Sequence, residues 1–188
     1  MNGSKLRRPG HMLDPFLSWL ESTAFSVWMR ESPSIFAFPI ILAVHTIGLG
    51  LLAGINVALD LRVLGIAARI PLVEFRRFWP WLWLGLWLNV ISGLALIAAY
   101  PTKALTNPVF YIKLGLIAAA LAILRAIFRF RPADGTAPAI PAALRRAKTL
   151  AVASLVCWAG AITAGRFLAY TYVRLMVDSR PVPRPWIP

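Results

Sequence analysis

Three basic side chains lie inside apolar stretches of this sequence, and their chemistry is that of ligand or cofactor binding. His45 is in the first long apolar run, Lys113 in the third and Arg166 in the fourth. Imidazole can bind iron or copper, whereas ammonium and guanidinium groups pair with anions. Ionisable groups at membrane depth are costly and usually face the interior of a helical bundle. These three residues are therefore the candidate site.

The composition places much of the chain in lipid. Of the 188 residues, 59% are hydrophobic and 14% are charged, and the mean hydropathy is +0.70. A soluble domain is usually about 45–50% apolar and about 25% charged. The formal net charge is +13, but Lys and Arg flank the apolar runs, as in proteins that meet anionic headgroups. We expect the lipid bilayer, and not nucleic acid, to be the partner.

Four apolar runs are long enough to cross a hydrocarbon core, which takes about 20 helical residues. They cover residues 35–59, 78–100, 108–130 and 149–173. Continuous apolar runs favour helices over the alternating segments of a membrane barrel. The predicted fold is all-α, a four-helix transmembrane bundle that occupies residues 33–175.

The remaining segments complete the predicted domain organisation. Residues 1–12 form an N-terminal tail without a cleaved signal peptide, since no short apolar core with a cleavage site follows the basic residues. Apolar residues at helical spacing over 13–32 predict an amphipathic interfacial helix, and a short helix packed on the bundle end is the alternative. The stretch RPADGTAPAIPAA is typical of a linker, and residues 176–188 form a Pro-rich, extended C-terminal tail.

Lys and Arg residues are concentrated in two of the three loops between the predicted spans. The first and third loops are basic, whereas the second loop has only Lys103. Since basic loops stay on the cytoplasmic side of a membrane, both termini are predicted to be on the outer side.

Helix geometry places the three basic residues in the outer half of the predicted bundle. At 1.5 Å per residue, His45 is about 15 Å, Arg166 about 10 Å and Lys113 about 8 Å from the outer surface. The combination suggests haem b, with His45 on the iron and the other two residues pairing with propionates. A bis-histidine haem would take its second imidazole from His11 or from a homodimer, and a five-coordinate haem needs none.

Three other interpretations of the site are open. A quinone headgroup would lie near His45 and Arg166. Copper would find imidazole, thiol and thioether donors in His45, Cys157 and Met29, although the sequence has no Met-x-Met, His-x-His or Cys-x-x-Cys cluster. Alternatively, His45 hydrogen-bonds a neighbouring helix, through Asn89 or a serine, and has no ligand.

Other polar residues are expected to be structural. Asn89 lies within the second predicted span, and Asp60 and Arg62 lie at the end of the first. Side chains two positions apart do not face each other on a helix. Asp60 is therefore expected to pair with another element, through Arg76 or Arg77.

Two spacings of small residues, Gly50-x-x-x-Gly54 and Ala161-x-x-x-Gly165, favour close helix packing. Neither spacing indicates chemistry. The sequence shows no Ser/His/Asp set, no catalytic carboxylate pair, no P-loop and no GxGxxG motif. We expect a protein without catalytic activity of its own.

The stretches DLRVLG, NPVFYIKLGLIAAALAILRA and WAGAITAGRFLAY resemble elements of a family of small bacterial four-helix membrane proteins with no established activity. The resemblance runs from about residue 16 to about residue 170. Where members of that family carry a further histidine near the end of the third span, this chain has Arg129. The family is in turn distantly similar to CopD copper-resistance and cytochrome b561-type bundles. The positions that match the family are His45, Asp60, Arg62, Lys113 and Arg166.

The resemblance implies a bacterial protein, and with the four spans and the basic loops it predicts a multi-pass protein of the inner membrane with periplasmic termini. With the candidate site, it predicts an accessory or electron-transfer subunit of a redox membrane complex, with haem b or quinone near His45 and Arg166. Other membrane subunits or a second copy in a homodimer are the expected protein partners. A purely structural subunit without a cofactor and CopD-like copper handling are the alternatives.

Overall fold

The computed structural model describes residues 14–66, 69, 71–130 and 141–178. All regular elements in these residues are helical. The predicted N-terminal tail with His11, most of the predicted linker and the C-terminal tail beyond residue 178 lie outside the described residues.

The helices follow one another in a simple order, with one 3₁₀ segment between the first two long helices. They are α1 (Asp14–Glu21), α2 (Ala24–Glu31), α3 (Phe38–Leu64), the 3₁₀ segment (Leu72–Phe78), α4 (Trp79–Ala99), α5 (Pro101–Leu105), α6 (Pro108–Phe130) and α7 (Pro141–Asp178).

Four helical stretches are long and apolar enough to cross a membrane: Phe38–Leu64, Glu74–Ala99, Pro108–Arg129 and Pro141–Leu168. Between 17% and 28% of the residues in the most apolar part of each stretch are buried inside the protein. Most of the apolar side chains therefore face outward, as the walls of a bundle in lipid do. The predicted four-helix bundle is confirmed, and the chain is a multi-pass membrane protein.

The residues at the helix ends explain where the long helices begin and end. The first long helix continues to Leu64, where Gly65 has a left-handed backbone with φ of 105° and its N–H donates to the carbonyls of Leu61 and Arg62. Glycine adopts this conformation without a steric penalty and is common after the last helical residue. The third long helix begins at Pro108, as predicted, and the Asn107 side chain accepts from the N–H of Val109 at 2.9 Å.

The bundle consists of two closely packed helix pairs. Helix α3 packs along α4, α6 packs along α7, and the contact of α3 with α7 joins the two pairs. The core between them contains Leu52, Leu59, Leu124, Ile127 and Trp158.

A close contact between α3 and α4 involves glycines other than those predicted. A Cβ atom added to Gly48 would be 2.8 Å from the backbone nitrogen of Asn89, and one added to Gly85 would be 2.9 Å from the backbone nitrogen of Leu52. Helices α3 and α4 therefore meet backbone to backbone. The predicted packing through Gly50-x-x-x-Gly54 is wrong, because an added Cβ atom at either glycine has no neighbour within 4 Å.

The predicted interfacial helix is two short helices. The chain breaks between α1 and α2, and the Thr23 side chain accepts from the backbone N–H of Ser26 at the start of α2. Ser26 and Arg30 both donate to the carbonyl oxygen of Ala99, at 3.2 Å each. This carbonyl is at the end of α4, where helical partners are lacking. The two helices thus pack on the bundle end, as the alternative interpretation expected.

The outer faces of α1 and α2 keep the amphipathic character that the sequence predicted. Leu17 and Met29 are buried against the bundle, whereas the large aromatic side chains point away from it. Aromatic rings are typical of the boundary between headgroups and lipid chains. The exposed rings are Phe16, Trp19, Phe25 and Trp28.

The contact at Gly48 generates a stability prediction. We expect Gly48→Ala to lower the free energy of unfolding by about 1–3 kcal/mol, because the added methyl group separates α3 from α4. The measurement is reversible unfolding in detergent, followed by circular dichroism.

Gly50→Ala is the matched control for this substitution. It lies on the same helix with open space around the added methyl group, and alanine is the better helix former by about 0.5–1 kcal/mol. Equal destabilisation by the two substitutions would contradict the helix contact described here.

Candidate functional site

Residues from three of the four long helices meet at one depth of the bundle. His45 lies seven residues after the first residue of α3, Ser92 seven before the last residue of α4, and Lys113 five after the first residue of α6. At 1.5 Å per residue, each is about 8–10 Å from the same end of the bundle. This is the end on which α2 packs against Ala99.

The His45 ring is oriented by a serine of the neighbouring helix. Nδ1 of His45 lies 3.0 Å from the hydroxyl oxygen of Ser92. The single hydroxyl hydrogen of Ser92 is donated to the carbonyl oxygen of Leu88, one turn earlier on α4. With its hydrogen on that carbonyl, the serine oxygen can accept from Nδ1 of His45, which favours the tautomer with hydrogen on Nδ1.

Lys113 contacts the other ring nitrogen. Its Nζ atom lies 3.5 Å from Nε2 of His45. An ammonium group has donors and no acceptor, so Nε2 of His45 must present its lone pair. Both contacts favour the same neutral tautomer, with hydrogen on Nδ1.

Asn89 holds the backbone beside the ring. Its side-chain amide donates to the carbonyl oxygen of His45 at 3.1 Å. The interpretation that His45 hydrogen-bonds a neighbouring helix through Asn89 or a serine is confirmed for both partners, since Asn89 contacts its backbone and Ser92 contacts its ring.

A glycine of α4 makes room for the ring, and a glycine of α7 lies beside the lysine. A Cβ atom added to Gly93 would be 3.3 Å from Cε1 of His45, and one added to Gly165 would be 3.8 Å from Nζ of Lys113. Lys113 therefore runs beside α7 at Gly165 to reach α3. Ser92, Gly93 and the contact of Gly165 with Lys113 were not predicted from the sequence. Ser92 could have been found as a polar residue within an apolar helix, seven positions before its end.

The site is basic and half-buried. His45 and Lys113 both have intermediate exposure. Within the described part of the chain, no aspartate or glutamate makes a hydrogen bond or ion pair with Lys113. A charged ammonium group at membrane depth, with a neutral imidazole as its partner, favours an electron-rich or anionic ligand.

Arg166 is not part of this contact network. It follows Gly165 on α7, but its side chain is exposed and it makes no hydrogen bond to His45 or Lys113. Arg166 thus lies next to Gly165, the residue of α7 beside Lys113, but does not itself contact His45.

The copper ligands proposed from the sequence do not meet. Met29 is buried in α2, at the bundle end, and Cys157 lies eight residues, or about 12 Å, before Gly165 on α7. In residues 14–66, 69, 71–130 and 141–178, no three His, Cys, Asp or Glu side chains form a group that could hold a metal ion.

The predicted pairing of Asp60 with Arg76 or Arg77 is wrong. Asp60 is fully buried, and neither of its carboxylate oxygens has a hydrogen-bond partner. Arg77 instead lies 3.7 Å from Glu74, on the exposed 3₁₀ segment. The cause is the direction of the Asp60 side chain, which faces α7 and the core.

Comparison with family models, with curated proteins and with solved structures finds no match to this chain. Its chemistry is therefore inferred from the geometry. A lone pair on Nε2 of His45 and the N–H donors of Lys113, 3.5 Å apart, can together bind a group that both accepts and donates hydrogen bonds.

The assigned tautomer generates a prediction for nitrogen NMR of histidine-labelled protein. We expect His45 to show hydrogen on Nδ1 in the native chain. Ser92→Ala and Lys113→Met each leave one of the two contacts, so each single variant should keep that tautomer. The double variant removes both contacts and should show a mixture of tautomers.

The second histidine signal is assigned with His11→Gln, since the chain has two histidines. Hydrogen on Nε2 of His45 in the native chain would contradict the contacts with Ser92 and Lys113.

Proposed function

We propose that this chain is a membrane subunit of a redox complex and that His45 and Lys113 bind the headgroup of a quinone. The observation that supports the proposal is the juxtaposition of a neutral imidazole acceptor and an ammonium donor, 3.5 Å apart at membrane depth. Both groups are held by neighbouring helices rather than by loops.

The two groups match the two oxidation states of such a headgroup. A quinone carbonyl accepts a hydrogen bond from Lys113, and a quinol hydroxyl can donate one to Nε2 of His45 once Lys113 turns away from that nitrogen. Reduction of a quinone to a quinol takes two electrons and two protons. In this proposal the electrons come from a redox centre of a partner subunit and the protons from water at the nearby membrane surface, and this chain binds and orients the headgroup.

Access from the lipid supports a lipid-soluble ligand. The site residues are half-buried, and the side chains beside them on α6 and α7 are exposed: Ile112 is 56% exposed, Leu114 47% and Phe167 56%. A quinone dissolved in the bilayer can thus approach the site laterally, with its apolar tail remaining in lipid.

Haem b fits the same residues less well. Iron would need a ring nitrogen with a free lone pair, and Nδ1 of His45 is bonded to Ser92. Nε2 of His45 faces Nζ of Lys113, so axial ligation would require Lys113 to move. A quinone carbonyl, by contrast, can accept from another N–H of Lys113 while the contact with His45 stays in place, and this favours the quinone.

The distribution of charge supports a proposal for the orientation of the chain. The ends of α3 and α6 and the start of α7 lie at the end opposite the site, and they carry Arg62, Arg125, Arg129, Arg145 and Arg146. By the positive-inside tendency, we propose a bacterial inner membrane protein with periplasmic termini and a site in the periplasmic half. Other membrane subunits, or a second copy of the chain, would be its neighbours in the complex.

A titration of the purified chain in nanodiscs with a short-chain quinone tests the proposal. We expect saturable binding by calorimetry, and Lys113→Met should weaken it about tenfold or more, because a hydrogen bond to a charged group contributes about 1.5–3 kcal/mol. His45→Phe should weaken binding of the quinol form most.

Lys103→Met is the matched control, because it removes the same charge from α5, outside the four long helices. Equal quinone binding by the native chain and Lys113→Met would contradict the proposal. A Soret band in protein produced with ample haem, if it is lost in His45→Phe, would indicate that the ligand is haem b and not a quinone. Stoichiometric partner subunits without any bound cofactor would favour the purely structural subunit.

A further inference from the structure

A second polar cluster is buried in the opposite half of the bundle. Asn56 and Asp60 lie one turn apart on α3, and Ser154 and Trp158 lie one turn apart on α7, the helix that packs against it. Asn56, Asp60 and Ser154 are 0% exposed, and Trp158 is 1% exposed. Ser154 approaches the Asp60 carboxylate without completing a hydrogen bond.

The polar atoms of this cluster lack hydrogen-bond partners. Buried polar atoms in proteins are nearly always bonded, and one left without a partner costs about 1–3 kcal/mol. Six such atoms in one place therefore indicate a missing ligand. They are Asn56 Nδ2 and Oδ1, both carboxylate oxygens of Asp60, Ser154 Oγ and Trp158 Nε1.

We propose that this cluster binds one monovalent alkali cation, with Asp60 as its charged ligand. Four of the six atoms are oxygens with free lone pairs, from Asn56, Asp60 and Ser154. Oxygen donors select hard cations over transition metals, which prefer nitrogen and sulfur. The cluster contains one carboxylate, so a single positive charge balances it, and a divalent ion would leave an excess.

The two remaining atoms are hydrogen-bond donors and serve the carboxylate. Asn56 Nδ2 and Trp158 Nε1 cannot bind a cation. Each can donate to a carboxylate lone pair that the ion does not use, or to a water molecule on the ion. With the cation bound, every polar atom in the cluster has a partner of the correct type.

In the part of the chain that the structure describes, no cationic side chain is paired with Asp60. Its carboxylate makes no hydrogen bond, and Arg62, two positions further on, projects from a different side of α3. Arg76 and Arg77 are exposed on the 3₁₀ segment. A buried carboxylate without a paired cation is strongly unfavourable in a low-dielectric interior, and a bound ion removes that cost.

This site is separate from the proposed quinone site. Asp60 is fifteen residues after His45 on the same helix, or about 22 Å along its axis. The cation proposal therefore does not rest on quinone binding, and failure of either leaves the other standing.

Thermal unfolding of the full chain in nanodiscs tests the cation site. The choline chloride in the buffer is replaced stepwise by sodium, potassium or lithium chloride at constant pH and ionic strength. A ligand that binds the folded state stabilises it by mass action. We expect Tm to rise by about 3–5 °C for each tenfold increase of the selected ion above its Kd, and radioactive sodium to bind at one ion per chain if sodium is that ion.

Asp60→Asn keeps the shape of the side chain and removes its charge. This variant should lose the ion dependence of Tm and should be at least as stable as the native chain in choline, because it no longer buries an unpaired charge. Ser154→Ala removes one oxygen ligand and should raise the Kd about tenfold, which provides a second test if Asp60→Asn does not fold. Glu74→Gln, the same change on an exposed acid, should keep the native response.

Two results would overturn the proposal. A Tm of the native chain that is equal in sodium, potassium, lithium and choline would mean that the cluster holds water or a protonated carboxyl group. An unchanged ion response in both Asp60→Asn and Ser154→Ala would place the ion elsewhere.

Discussion

The absence of water in the hydrocarbon layer is the constraint on which this structure depends. Each backbone N–H and carbonyl group must be bonded within the chain, and the four long helices meet that requirement over their whole length. Polar side chains then become the costly part of the sequence. Their positions show where the protein needs hydrogen bonds, and in this chain they gather in two clusters on opposite halves of α3.

The two clusters differ in how completely their polar atoms are bonded. His45 has three hydrogen-bond partners, which are Ser92, Asn89 and Lys113. These contacts orient the ring and favour one tautomer. Around Asp60 the side chains converge without bonding one another. The first arrangement is a preorganised pair of donor and acceptor, and the second is a set of oxygens that lacks a positive partner. The first cluster can be reached from the lipid, whereas the second is buried inside the bundle.

Glycine contacts make the first cluster geometrically feasible. Gly48 and Gly85 bring α3 and α4 into backbone contact, which is close enough for Asn89 to reach the backbone of His45. Lys113 runs beside α7 at Gly165, at ordinary contact distance. A larger residue at Gly48 or Gly85 would separate the helices and, with them, the groups whose distances define the site. The packing of α3 against α4 therefore also sets the distances between the groups of the site.

The sequence by itself determined the four membrane-spanning helices, the start of α6 at Pro108 and the concentration of basic residues at one end. The hydropathy of a run and the position of a proline are local properties of the sequence, so they predict helices without knowledge of which helices pack together. The tertiary structure decided that Ser92 and Lys113, rather than Arg166, contact His45, that Gly48 rather than Gly50 faces α4, and that Asp60 turns to the core. These facts depend on the rotation of each helix about its axis. Because α3 is apolar on all faces, its pattern carries no signal for that rotation, and only the packed neighbours define it.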